Sequence, residues 1–198
     1  MWPERIAPRL EGRTVVLEPL GLEHEEALFA AARPVEIWEW WPFNPAVDRP
    51  SFHRWLCGAL DEVATGGQAR FATLDAAGRP IGSTSFCTLR PEHRGLEIGW
   101  TWLTPAAWGT ATNVEAKLLQ LRYAFEELGC QRVEFETDER NERSRRALAA
   151  LPACFEGVLR DYKLVRGGTR RSSAVYSILD DEWPGVERNL KARIARHQ

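Results

Sequence analysis

Residues 96–116 run from an apolar strand through small residues into a helix, and that junction dictates what the rest of the chain must build around it. The strand reads Leu96-Glu97-Ile98-Gly99-Trp100-Thr101-Trp102-Leu103 and the turn Thr104-Pro105-Ala106-Ala107-Trp108-Gly109-Thr110-Ala111. A helix start leaves its first backbone N–H groups unpaired and carries partial positive charge, so small residues there let a phosphate reach main-chain donors. Gly109 and Ala111 supply the smallness. A Walker loop needs a lysine before Ser or Thr, and the dinucleotide fingerprint needs three glycines; the stretch carries neither.

The flanking chain supplies a sheet for this junction. Residues 14–20 read as a strand by the β-branched Thr14, Val15 and Val16, stopped by Pro19, a helix spans 23–33, and the loop 34–50 carries Trp38, Trp40, Trp41 and Phe43. Ser51 reads as the cap of a helix with Phe52, Trp55, Leu56, Ala59, Leu60 and Val63 on one face. Strands at 70–74 and 81–89 flank a hairpin turn at Gly78. Beyond the junction, Val114, Leu118, Leu121, Phe125 and Leu128 mark one buried helix face ended by Gly129. A strand at 131–137 then pairs in parallel with 96–103, because a helix of that length makes a βαβ crossover. Asn141 caps a helix at 142–151, a hairpin at 155–165 and 171–179 turns on Gly167-Gly168, and an amphipathic tail closes the chain.

Length and composition set bounds on function. The 198 residues fit one domain, with a core at about 9–183 and a C-terminal helix at 184–196. A net charge of −2 argues against nucleic acid as partner, and no apolar run reaches membrane-spanning length. Residues 1–5 lack a signal-peptide layout, so the expected location is the cytoplasm. Cys57, Cys87, Cys130 and Cys154 are scattered without metal-ligand spacing, and no metal site is expected.

The order of elements, with Arg13 to Leu20, Leu96-Glu97-Ile98-Gly99-Trp100, Trp108-Gly109-Thr110-Ala111, Glu115-Ala116 and Asn141-Glu142-Arg143-Ser144, resembles the GCN5-related N-acetyltransferases, closest to the RimJ/RimL-like branch that acetylates protein α-amino groups. The turn is similar to that family's Gln/Arg-x-x-Gly-x-Gly/Ala pyrophosphate loop, with Ala106 departing at the leading position. The resemblance implies an α/β (α+β) fold: a mixed, mostly antiparallel sheet with a central parallel pair, flanked by helices. It implies acetyl-CoA as cofactor, held by Trp102, Leu103, Trp108, Gly109, Thr110, Ala111, Thr112, Asn113, Asn141 and Arg146.

Acetyl transfer to an amine needs a proton acceptor for the amine, a donor for the developing oxyanion and a proton for the thiolate. Glu97 is the expected base and Ser144 the expected acid; Glu18, Glu36, Glu39 and His93 are rivals for the base. Arg143 and Arg145 share the helix of Arg146 and offer phosphate contacts, while Glu134 and Glu136 are expected to face solvent. Trp38, Trp40 and Trp41 form the expected acceptor wall, suited to a cationic amine. With no cysteine near a histidine in the pattern, transfer is expected to be direct, in a ternary complex. The expected partner is a protein N-terminus, with a small-molecule amine (polyamine, aminoglycoside or amino acid) and a non-catalytic acyl-CoA sensor as alternatives. A monomer and a homodimer both fit the amphipathic tail.

Overall fold

Alternating strands and turn-forming glycines build an eight-stranded sheet of order β1-β2-β3-β4-β5-β6-β8-β7. The strands are β1 (Leu10–Glu11), β2 (Val15–Pro19), β3 (Ala69–Asp75), β4 (Pro80–Arg90), β5 (Gly95–Leu103), β6 (Arg132–Asp138), β7 (Cys154–Val165) and β8 (Thr169–Leu179). The structure is a computed structural model that describes residue 2 and residues 8–196; the 1–5 stretch read for targeting signals lies, apart from Trp2, outside them. All strand pairs are antiparallel except β5 with β6.

Helices cover both faces. On one, α1 (Glu25–Ala31) and α2 (Arg49–Ala64) bury Leu28, Phe52 and Leu56 against Ala72, Leu74 and Trp102. On the other, α3 (Ala111–Arg122) and α5 (Trp183–Ala195) pack Leu118, Leu121, Val186 and Leu190 with Phe71, Phe86, Leu96 and Val133. The amphipathic tail thus docks on its own core. The helix α4 (Glu142–Ala150) follows β6. Among the described residues, no helix is long and apolar enough to cross a membrane.

The expected elements differ from the structure in three places that matter. Asp48, not Ser51, caps α2: its carboxylate accepts from the Ser51 N–H at 2.7 Å, because Pro50 is preset for the first helical turn and the cap moves upstream. The helix after the junction ends in a π-helical turn, Tyr123–Glu127, before Gly129. The parallel pairing of β5 with β6 covers only Gly95↔Arg132 to Glu97↔Glu134. Beyond Glu97 a bulge sets Thr84 of β4 opposite two residues of β5, Trp100 and Thr101, with Trp100 at φ 50°, and β5 leaves its partner.

One buried carboxylate locks the N-terminal strands to α3. Glu115 accepts from the Arg13 N–H at 2.8 Å, the Thr14 N–H at 2.6 Å and the Thr14 hydroxyl. Burial pushes this carboxyl up, but the Thr14 hydroxyl and the two amides outweigh it and hold its pKa below the ordinary value. A lowered folded-state pKa contributes stability above the unfolded value and loses it as pH falls through the folded one. Glu115→Ala is therefore expected to cost about 1.5–3 kcal/mol at pH 7. Urea unfolding at pH 7 and near pH 3 checks it: the gap to wild type narrows at low pH, and an equal gap at both would contradict the assignment.

Candidate active site

The departure of β5 from β6 opens a cavity of about 630 Å³ through the sheet. Its walls come from the two separating strands, the junction before α3, the start of α4 and the aromatic loop between α1 and α2. Where β5 ends, the Trp108 indole N–H donates to the Leu103 carbonyl at 2.9 Å and pins the turn. Gly109 then takes φ 73°, a left-handed conformation that strains any residue with a side chain, and a Cβ built there meets nothing within 4 Å. Thr110 caps α3 by accepting from the Thr112 N–H at 3.3 Å. The first turn of α3 thus presents its unpaired amides beside the cavity. Across from it, the Arg143 guanidinium lies 3.8 Å from the Trp108 ring centroid, joining the start of α4 to the turn.

Of the residues expected to hold the cofactor, Trp102, Leu103, Trp108, Gly109, Asn113 and Asn141 line the cavity. Thr110, Ala111 and Thr112 do not line it but shape the helix start. Arg146 stands apart: its side chain is 79% exposed and pairs with Glu142 of its own helix, because one turn beyond Asn141 the helix face has rotated to solvent. Asn141 is buried, lines the cavity and caps α4 by accepting from the Ser144 N–H at 3.1 Å. Ser144 also lines the cavity, and its hydroxyl has no hydrogen-bond partner among the described residues.

The sheet face beneath the aromatic loop carries a row of carboxylates. Glu134 pairs with Arg90 and Arg132, Glu136 with Lys163 and Arg171, and Asp138 with Arg140. The expectation that Glu134 and Glu136 face solvent therefore fails; Glu136 lines the cavity and accepts from Ser173 at 2.8 Å as well. Alternation put them outward on β6, but Arg90 of β4 and Arg132 of β6 itself cover Glu134, and β7 and β8 bring Lys163 and Arg171 over Glu136. Glu97 differs: among the described residues it has no ion-pair partner, and its carboxylate accepts only from the Thr88 hydroxyl, at 2.9 Å. Burial pushes its pKa up, the Thr88 hydroxyl and the charge of Lys163 oppose this, and the charges of Glu136 and Glu134 add to the rise. Thr88 and Trp100, at φ 48° and 50°, are strained non-glycine positions on either side of this carboxyl.

The rival bases are elsewhere. Glu18 is paired to Arg9 and His24, while Glu36, Glu39 and His93 are exposed and outside the cavity lining. Trp40 and Trp41 line the cavity with Trp100; Trp38 does not, because its indole N–H donates to the Ala32 carbonyl at 2.8 Å and its ring sits beneath Trp41 at 5.0 Å. Tyr176 is buried and accepts from Arg145 at 3.1 Å. A cysteine does meet a histidine, contrary to the pattern: Cys57 Sγ and His53 Nε2 lie 3.5 Å apart on α2, one turn apart and away from the cavity. Cys87 is the thiol inside the cavity, and burial pushes its pKa up, keeping it protonated.

Among the lining residues that sequence reasoning missed is Lys117, which is 8% exposed and points its ammonium at Gln120 Oε1, Thr101 Oγ1 and Thr84 Oγ1 at 2.9, 3.1 and 3.3 Å. The signal was present: residue 117 falls three after Val114 and four before Leu121, on the apolar face of α3.

Comparison with known proteins gives concordant matches. Residues 14–151 match the family model described as an acetyltransferase (GNAT) domain. A GCN5-related N-acetyltransferase from Brucella melitensis is 31% identical with a TM-score of 0.89, over 97% of this chain and 87% of that one. An N-acetyltransferase of uncharacterised role from Bacillus subtilis, YoaA, is 37% identical over 101 residues, which is 50% of this chain and 55% of that protein. The FsC-acetyl coenzyme A-N(2)-transacetylase of Aspergillus fumigatus is 29% identical over 94% of this chain and 82% of its own length.

Proposed function

Since the chain belongs to the GNAT family and is an acyltransferase, we propose that it moves an acetyl group from acetyl-CoA to the α-amino group of a peptide or protein, as in the RimJ/RimL-like branch, by direct transfer within the cavity. The observation that carries this reading is Glu97, the one carboxylate of its row that makes no ion pair among the described residues. A half-buried carboxylate whose pKa is raised by burial is a stronger proton acceptor than an ordinary one.

The residues present fit a CoA-type donor. Gly109 leaves open space at the start of α3, and Trp102 Nε1 and Asn113 Oδ1 are buried polar atoms of the cavity lining without partners among the described residues. The amides that the turn leaves free between Gly109 and Asn113 would hold the pyrophosphate, the Trp108 amide being engaged by the Pro105 carbonyl at 3.0 Å, and Asn141 the pantetheine arm. When bound, acetyl-CoA supplies an acetyl group activated as a thioester. Around it the chain provides three functions. Glu97 accepts the amine proton, and Ser144, facing the cavity, is the acid for the leaving sulfur. The third is an oxyanion donor. The Gly99 carbonyl is held by hydroxyls of Ser85 at 3.3 Å and Thr101 at 3.4 Å, so across a trans peptide the Trp100 N–H points the other way, toward the gap that β6 vacates.

An α-amine suits a single carboxylate base. Its reference pKa of ~7.7–8.0 leaves roughly a tenth or more neutral at pH 7, whereas lysine at ~10.4 is neutral about once in 2,500. The Aspergillus fumigatus relative's name gives acetyl coenzyme A as donor and an N(2) nitrogen, which supports the same donor here. A peptide with only a free N-terminus is expected to be acetylated faster than one with only a free lysine. Equal or greater rates on the lysine peptide would overturn the α-amine assignment in favour of a small-molecule amine.

A further inference from the structure

Lys117 is buried in a cavity wall, makes no ion pair among the described residues, and takes no part in the chemistry assigned above. Burial lowers its pKa to about 7. Such a site costs the fold stability, since an isolated charge in an apolar wall is poorly solvated. Methionine or leucine would fit the helix pattern and carry no such cost.

What the ammonium does is fix the direction of hydroxyl protons. In its charged form it has three donors and no acceptor, so each oxygen it reaches receives a proton from it. Thr84 and Thr101 share one proton across 2.7 Å, and because the ammonium, at 2.9 Å, competes for the Gln120 Oε1 that Thr84 could otherwise reach at 3.3 Å, Thr84 donates to Thr101 and the Thr101 proton goes to the Gly99 carbonyl, at 3.4 Å. Without the ammonium, Thr84 can donate to Gln120 Oε1 and accept from Thr101 across the same 2.7 Å contact, and nothing then obliges Thr101 to hold the carbonyl. The 99–100 peptide lies in the bulge where β5 has left β6, so no neighbouring strand fixes it from the other side.

We propose that Lys117 is a positioning residue for acyl transfer: by turning the Thr101 hydroxyl onto the Gly99 carbonyl, it fixes the peptide whose Trp100 N–H serves the oxyanion. The inference rests on the acetyl-transfer reading and goes beyond it, because it assigns a task on the α3 side of the sheet, behind the bulge.

Steady-state kinetics of Lys117→Met, Thr101→Val, Thr101→Ser and the Lys117→Met/Thr101→Val double variant test it, with acetyl-CoA affinity and thermal melting measured on each. Losing an oxyanion donor outright costs ~10²–10³ in kcat, so misaiming one is expected to cost on the order of tenfold, with acetyl-CoA affinity changed less than about threefold. Thr101→Ser keeps the hydroxyl and is expected to keep wild-type kcat. The double variant is expected to be no worse than either single, because both cut one path. Wild-type kcat in a folded Lys117→Met, equal losses in Thr101→Ser and Thr101→Val, or multiplying losses in the double variant would each overturn the proposal. Should Lys117→Met fail to fold, the Thr101 pair decides alone. A wild-type protein that binds acetyl-CoA but acetylates no amine sinks the acetyl-transfer reading and this inference with it, whereas an active wild type with an unaffected Lys117→Met sinks this inference only.

Discussion

Glu97→Gln is expected to lower turnover at pH 7 by about 10²-fold, the lower end of what a positioned general base contributes, while acetyl-CoA affinity stays near wild type. The residual activity is expected to rise with pH, close to tenfold per unit until the α-amine itself is neutral at ~7.7–8.0. Wild type should instead show an acid limb set by Glu97, above the ordinary carboxylate range because burial pushes that group up. The stability sign is opposite to that of Glu115. A carboxyl whose folded pKa is raised binds its proton more tightly when folded, so stability is lost as pH rises through the window between the ordinary and the raised value. Removing the charge relieves this, and Glu97→Gln should melt no lower than wild type at pH 7. A variant that loses turnover and stability together would point to a structural carboxylate.

Gly109→Val is expected to weaken acetyl-CoA binding by about tenfold or more, equivalent to roughly 1.4 kcal/mol, in a protein that still folds. A left-handed residue with a side chain costs about 1–2 kcal/mol, and valine's branch also stands where phosphate must approach backbone. The Cβ itself meets no protein atom, so steric collision inside the fold is not the source of the loss. Gly109→Asn separates the two causes, since asparagine visits the left-handed region readily. Recovery of affinity in Gly109→Asn assigns the loss to conformation; a loss equal to that of valine assigns it to the side chain blocking the phosphate. Unchanged affinity in folded Gly109→Val would remove the turn from the cofactor site.

The features legible in the chain were those written locally. The strand, glycine turn and helix at residues 96–116 needed only side-chain period and smallness, and the structure places β5, Gly109 and α3 there. The apolar spacing of Val186, Leu190 and Ile194 likewise marked a face that proved buried. What escaped depended on register between distant strands. The extent of the β5–β6 pairing is set by the bulge at Trp100, which exists only once β4 is aligned. Glu136 looked outward by alternation, and its role changed because β7 and β8 place Lys163 and Arg171 over it. Trp38 belonged to an aromatic loop whose local pattern could not say which ring would face the cavity and which would lie beneath, where a free backbone carbonyl at Ala32 takes its N–H. Lys117 was visible by helical phase yet out of character for a core position, and its meaning needed Thr84 and Thr101 brought to it by two strands.

Purified protein incubated with acetyl-CoA and an unblocked peptide lacking lysine, with released thiol and acetylated peptide quantified together, tests the central claim most directly. The account predicts thiol and N-terminally acetylated peptide in equal amounts over many turnovers, with no acetyl group retained on the protein. Tight acetyl-CoA binding with neither product, on this peptide or on small amines, would contradict it and leave an acyl-CoA sensor as the reading.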